Sequence, residues 1–290
     1  MTGTLLSLRK QLPDEIVAII RSVTLVADEL EMPSFIVGAT ARNIILEHVY
    51  QVRAGRSTSD VDFGVALETW SDFEKLKAAL IHREGFRADS RIEQRLWRGR
   101  GATEMKIDLI PYGGLESPPG TISFPPTGFE MNTSGFKEAF DGSVEIRLDA
   151  ELNVRVVSLA GLTILKFTAY NDRPNERQTD LEDILFIAKN YVEAENEERL
   201  YADTELMSDE TFDLRTVGAR LLGRDMASLL TAESSTLVGT HLSEDGTDPN
   251  GHGLSRTAEV MLARSRTFEE ESPIVLELLR QLKVGIAEGN

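Results

Sequence analysis

Thr58-Ser59-Asp60-Val61-Asp62-Phe63-Gly64-Val65-Ala66 is the stretch on which the reading of this chain turns. Val61, Phe63 and Val65 alternate with Asp60, Asp62 and Gly64, the two-residue period of a strand with one buried face. The apolar set belongs to a core, so both aspartates stand together on the opposite face. A polar connection, Arg53 to Ser59, leads into the strand.

Working outward, Lys106-Ile107-Asp108-Leu109-Ile110 reads as the end of a strand region over residues 90 to 112, broken by Pro111, Gly113 and Gly114. On a neighbouring strand, Asp108 becomes a third carboxylate. Upstream, Ser34 to Val37 reads as a short strand and Gly38-Ala39-Thr40 as its turn into a helix reaching Tyr50. The N–H groups at such a turn favour an anion, and a glycine lets backbone approach it closely. A hard cation such as Mg²⁺ or Mn²⁺ takes oxygen ligands, typically one or two carboxylates plus the substrate's phosphates. Two such ions clamp the attacking and leaving oxygens of an in-line phosphoryl displacement. Asp60, Asp62 and Asp108 are therefore the expected metal ligands, and nucleotidyl transfer from an NTP the expected chemistry.

Pro13 to Leu30 reads as a helix with a stripe of Ile16, Ile19, Ile20, Val23 and Val26. Ser71-Asp72-Phe73-Glu74 has capping-box spacing for a helix that stops at Gly85. Residues 113 to 147, rich in Pro, Gly and Thr, predict either an irregular excursion or a hairpin, with further short strands. Beyond them the pattern turns helical: a helix after Ser158 ending near Pro174, a second opened by Thr179-Asp180-Leu181-Glu182, and others over 212–230, 256–266 and 273–286. Ser243 to Gly253 reads as a mobile loop. The expected fold is α+β: a mixed-sheet domain over residues 1–150, then an all-α domain over 151–290.

Its 290 residues bear a net charge of −17, and 41% are hydrophobic. Residues 1–150 hold 17 Lys and Arg against 22 Asp and Glu, and residues 151–290 hold 14 against 26. That balance opposes general nucleic-acid binding, which neutralises phosphates with a basic surface. One local exception is Arg83, Arg87, Arg91, Arg95, Arg98 and Arg100, with Trp97 among them: either a solvated run or a phosphate-contacting patch. The chain has no cysteine, so disulfides and thiolate sites are excluded. Its four histidines are dispersed without zinc-ligand spacing. No apolar run approaches the ~18 residues of a membrane span, and Met1 to Lys10 lacks the order of a secretion signal. A cytoplasmic protein with no membrane partner is expected.

With these elements placed, the chain resembles the DNA polymerase beta-like nucleotidyltransferase superfamily, and within it the AbiEii-type toxins of toxin–antitoxin systems. Phe35-Ile36-Val37-Gly38-Ala39-Thr40-Ala41 is similar to the glycine turn, Thr58 to Phe63 to the paired-aspartate strand, and Lys166, Arg173, Arg177, Asp180 and Asp183 to the C-terminal signature. The resemblance implies that Gly38, Thr40, Ser59 and Lys166 hold the triphosphate, and that Asp180 joins Asp60, Asp62 and Asp108 in catalysis. Ser59 either supports the triphosphate or caps the strand. Asp180 and Asp183 also suit a helix's first turn on dipole grounds alone. Ala39 departs from the second glycine or serine common in the superfamily. The segment from Val37 to Leu46, with Arg42, is similar to the turn of tRNA CCA-adding enzymes as well. Expected partners are therefore an NTP, a hydroxyl acceptor such as tRNA, and a cognate antitoxin. The alternatives are an antibiotic nucleotidyltransferase, or a nucleotide-binding or protein-interaction module with reduced catalysis.

Overall fold

The computed structural model describes residues 5–53, 58, 60–194, 196–209, 212–244 and 252–289. The chain forms two units, Met1–Ser158 and Leu159–Asn290. In the first, β1 (Leu5–Ser7) and α1 (Asp14–Glu29) precede β2 (Ser34–Val37), α2 (Gly38–Asn43), a π-helical turn over Ile44–Val49, β3 (Asp60–Ala66) and α3 (Trp70–Glu84). There follow β4 (Arg87–Ala88), β5 (Arg95–Arg98), β6 (Met105–Tyr112), a separate hairpin of β7 (Thr121–Phe124) and β8 (Phe129–Asn132), α4 (Phe136–Asp141), β9 (Val144–Arg147) and β10 (Asn153–Val156).

The large sheet runs β1-β9-β10-β2-β3-β6-β5-β4. It is mixed: β3 lies antiparallel to β2 and parallel to β6, and β5 returns antiparallel on β6. Val61, Phe63 and Val65 are buried, as the alternation requires, and so are Leu96, Ile107 and Leu109 on the strands alongside. Helix α1 packs on β2, β3 and α3, burying Ile19, Ile20 and Val23. On the opposite face, Phe35 stands over Gly64 in register, and its ring meets Tyr112, Phe136 and Phe140 edge-on. That aromatic cluster closes one end of the face, while Asp60 and Asp62 sit at the other end of β3.

Several boundaries differ from those read in the sequence. Helix α3 is capped by Thr69, whose hydroxyl accepts from the Asp72 N–H, so the N-cap lies two residues before Ser71. Strand β6 runs through Pro111 to Tyr112 instead of stopping there. The Leu109 N–H points toward the β5 side, donating to the Gln94 carbonyl, and the Pro111 nitrogen points the same way. Strand β5 covers β6 only as far as Asp108, so the missing donor breaks no ladder. Strand β10 belongs to the sheet, which puts the unit boundary at Ser158 where residue 150 was expected.

Among the described residues the second unit is all helical: α5 (Leu159–Asp172), α6 (Gln178–Lys189), α7 (Glu197–Ala202), α8 (Thr204–Met207), α9 (Val217–Ala227), α10 (Ala232–His241), α11 (Leu254–Met261) and α12 (Phe268–Glu288). Helix α5 is apolar nearly all round because α6, α9 and α10 surround it. Helices α9 and α12 touch closely: a Cβ on Gly285 would lie 2.0 Å from the Arg220 carbonyl oxygen. Arg220 then binds Glu288 through Nε at 3.0 Å and Asp209 through Nη1 at 2.7 Å, pinning both helices. Helix α6 starts at Gln178 with Arg177 at its cap position and no side-chain cap, so Thr179 lies inside the helix and does not open it. Most of the expected loop at Ser243 to Gly253 lies outside the described residues.

Candidate active site

The strand registers place the carboxylates. Asp62 is paired with Asp108 and Asp60 with Lys106 across the parallel β3–β6 ladder, while Arg95 is paired with Asp108 and Trp97 with Lys106 across β5–β6. Partners in register project to the same face. Asp60, Asp62, Asp108, Lys106, Arg95 and Trp97 thus share the face opposite the core.

Gly38 meets this face directly. Its φ is +71°, in the left-handed region, and an added Cβ would lie 2.1 Å from Asp62 Oδ2. The turn therefore needs glycine twice over, for its backbone conformation and for the carboxylate pressed against it. Thr40 is buried, and its hydroxyl donates to the Asp60 carbonyl, tying the turn to the start of β3. Ser59 lies outside the described residues. Thr58, beside it, donates to Asp60 Oδ1. A cavity of about 420 Å³ opens next to Thr40 and Thr58, lined also by Lys10, Leu12, Asn43 and His48.

Asp60 and Asp108 are each clasped by a cation. Lys106 Nζ is 2.9 Å from Asp60 Oδ2. Arg95 grips Asp108 with both prongs, Nε to Oδ1 and Nη2 to Oδ2, each at 2.8 Å. Burial acts against the charge on Asp60, but hydrogen bonds from Lys106 and Thr58 outweigh it and hold its carboxyl below the ordinary aspartate range. Donating to Asp108 pushes the Arg95 guanidinium further up, against burial. With Lys106 and Arg95 engaged, no group of three His, Cys, Asp or Glu among the described residues is arranged around a common metal position. The donor set nevertheless fits a hard dication: it consists of carboxylate oxygens on one exposed-side face, with Asp60 and Asp62 two residues apart.

In the second unit, Lys166 is buried, joined to Asp180 Oδ1 at 2.8 Å and to Asp183 Oδ2 at 2.7 Å. Asp180 Oδ2 is buried and accepts no hydrogen bond among the described residues, with Arg177 Nη1 at 4.0 Å. The three groups of the C-terminal signature thus meet in one cluster, through which α5 and α6 face each other.

The arginine-rich run is largely a solvated surface run, with Arg83, Arg87, Arg91 and Arg100 exposed, and several of its members are ion-paired or hydrogen-bonded. Arg83 pairs with Glu29, Arg87 with Glu104 and Arg95 with Asp108, while Arg98 donates to the Ala18 carbonyl and Ser22 and lies over the Phe86 ring. Arg42 is buried too, with Nε 3.0 Å from Asn43 Oδ1. The histidines are less dispersed than the sequence suggests, since His241 and His252 approach to 4.7 Å between ring centroids beside Phe167 and Tyr170.

Solved structures similar to the chain include the antibiotic-resistance factor ANT(2'')-Ia, at 17% identity over 67% of this chain and 97% of that one, with a TM-score of 0.38. An antigenic nucleotidyltransferase-like protein from Paracoccidioides brasiliensis shares 16% identity over 68% and 93%, with a TM-score of 0.40. A tRNA-processing enzyme shares 16% over 96% and 92%, with a TM-score of 0.32. No curated protein matches the chain. No helix among the described residues is long and apolar enough to cross a membrane. The profile of the nucleotidyl transferase AbiEii toxins, of type IV toxin–antitoxin systems, matches residues 35–248, and the chain, a nucleotidyltransferase, belongs to that family.

Proposed function

We propose that this nucleotidyltransferase moves an NMP from an NTP to an acceptor hydroxyl with Mg²⁺ or Mn²⁺, and that Asp60 and Asp62 hold the cation. The observation that carries the reading is the contact of the Gly38 turn with Asp62 on a face that also bears Asp60 and Asp108. A dication there supplies charge neutralisation at the phosphoryl oxygens. The acceptor oxygen bonds to the α-phosphorus, the bond to pyrophosphate breaks, and the hydroxyl proton passes to a base. Such transfers ask for positioning and electrostatics more than covalent work from the protein.

Gly38 gives the triphosphate close backbone approach, and Thr40 fixes the turn. Lys166 is the proposed triphosphate cation and Asp180 its companion in catalysis. Two of the three ammonium donors are taken by Asp180 and Asp183, and Asp180 Oδ2 keeps an acceptor in hand. Asp108, expected as a third ligand, is gripped by Arg95.

A tRNA 3′ hydroxyl is the proposed acceptor, on the likeness of the Val37–Leu46 turn to CCA-adding enzymes. A cationic small molecule such as an aminoglycoside is the second reading, favoured by the 14 Lys and Arg against 26 Asp and Glu in residues 151–290. The family implies a cognate antitoxin, and the cytoplasm is the proposed compartment. Incubation with each labelled NTP, Mg²⁺ or Mn²⁺ and total tRNA, against the protein alone and an aminoglycoside mixture, reads the acceptor from where label appears. Asp62→Ala should abolish transfer while leaving the protein folded; undiminished transfer removes this site.

A further inference from the structure

Resting on that reading, we propose that Asp108 is not a metal ligand but the anchor of Arg95, and that Arg95 is a phosphate-binding residue of the carboxylate face. Asp62, Asp108 and Arg95 form one row across β3, β6 and β5, each in register with the next. The Arg95–Asp108 contact is a two-pronged fork with both bonds at 2.8 Å, and its side chains are 21% and 16% exposed. A fork of this kind fixes the guanidinium plane, and it is the strongest geometry available to this pair. It engages both oxygens of Asp108.

Asp60 is held differently. Lys106 meets its Oδ2 as a point charge and the Thr58 hydroxyl donates to its Oδ1, so no planar cation is held there by a fork. Asp60 and Asp62 already provide the one or two carboxylates that Mg²⁺ takes when substrate phosphates complete its shell. A third carboxylate is therefore free for another duty. The fork uses Nε and Nη2 of Arg95, two of the five guanidinium donors, and leaves Nη1 outside it. The guanidinium also acts electrostatically on Asp62, which puts its charge within reach of whatever Asp62 binds. A planar cation pre-set on this face suits a phosphate oxygen of the NTP, where charge accumulates during transfer.

The test uses the full chain and Mn²⁺ bound with a pool of the four α,β-methylene NTPs, followed by electron paramagnetic resonance at saturating nucleotide. Nucleotide affinity is titrated separately, and thermal melts confirm folding. Asp62→Asn should lose Mn²⁺. Asp108→Asn should keep Mn²⁺ affinity within about twofold of the wild type yet bind nucleotide about tenfold more weakly. Arg95→Gln should do the same, and Arg95→Lys should not rescue, because an ammonium cannot fork. The Asp108→Asn/Arg95→Gln double variant should be no weaker than Arg95→Gln alone, since both act through one group.

Loss of Mn²⁺ in Asp108→Asn to the extent seen in Asp62→Asn overturns the proposal, and so does full nucleotide affinity in Arg95→Gln, a variant that leaves Asp108 in place. Mn²⁺ retained by Asp62→Asn itself would instead remove the metal site, and the proposal with it.

Discussion

Replacing Gly38 with alanine tests the local geometry on which the site depends. At φ +71° a residue with a Cβ pays about 1–2 kcal/mol in backbone strain. The second effect is particular to this turn: the new methyl would stand 2.1 Å from Asp62 Oδ2, 3.1 Å from its Cγ and 3.3 Å from its Cβ. Strand β3 cannot give way, because Val61 and Phe63 on either side of Asp62 are buried in the core. The carboxylate must therefore swing by about 1 Å or more, and a misplacement of that size in a reacting constellation costs about 100-fold in rate. Gly85 provides the control. It has φ +73° at the end of α3, and a Cβ there meets nothing within 4 Å. Gly38→Ala and Gly85→Ala should thus lose similar stability in urea titrations, about 1–2 kcal/mol each, yet only Gly38→Ala should lose about two orders of magnitude in label transfer from NTP. Wild-type transfer in Gly38→Ala, or an equal loss in Gly85→Ala, would refute the reasoning.

Three further predictions concern the helical unit. Lys166→Met leaves the buried carboxylates of Asp180 and Asp183 without their shared cation and should cost about 3–5 kcal/mol by chemical denaturation; adding Asp180→Asn and Asp183→Asn should return most of it, and a loss below about 1 kcal/mol in Lys166→Met would contradict a buried charge cluster. A hydrogen bond from Arg220 above all, joined by Arg224 and only partly opposed by burial, holds the Glu288 carboxyl below the ordinary glutamate range. A carboxyl lowered in the folded state stabilises above its unfolded value, near about 4.3, and ceases to as pH falls through the folded value. The urea-midpoint gap between wild type and Glu288→Gln should accordingly be present at neutral pH and close in acid, and a gap independent of pH would count against the pairing. Gly285→Ala pushes a methyl into the Arg220 carbonyl and should destabilise by about 1–3 kcal/mol, seen as a lower melting temperature; an unchanged melt would mean α9 and α12 are not in close contact.

Strand β3 shows how far a single segment can be read. The Val61–Phe63–Val65 alternation identified the strand, its buried face and the shared side of Asp60 and Asp62, because a period of two leaves one solution once a core exists. Gly38 was readable for the same kind of reason, as a glycine between a strand and a helix. Arg95 was not. Both Arg95 and Asp108 are plain in the sequence, but β5 and β6 meet in antiparallel register through the connection at residues 99 to 104, and no local pattern states that Arg95 falls opposite Asp108 instead of Lys106. The pairing of Arg83 and Arg98 was equally unreadable, since their partners Glu29, Ala18 and Ser22 lie on α1, far away in the chain.

What the sequence determined by itself was therefore the set of local periodicities: a sheet-bearing half and a helical half, two aspartates on one strand face and a glycine turn before them, while Lys166, Asp180 and Asp183 were grouped only by the family resemblance. Tertiary structure alone decided which charges neutralise which. Lys106 took Asp60, Arg95 took Asp108, and Lys166 took Asp180 and Asp183 together. The division has a physical cause, because periodicity is a property of neighbours along the chain, whereas an ion pair depends on distance in space, which only strand register and helix packing set.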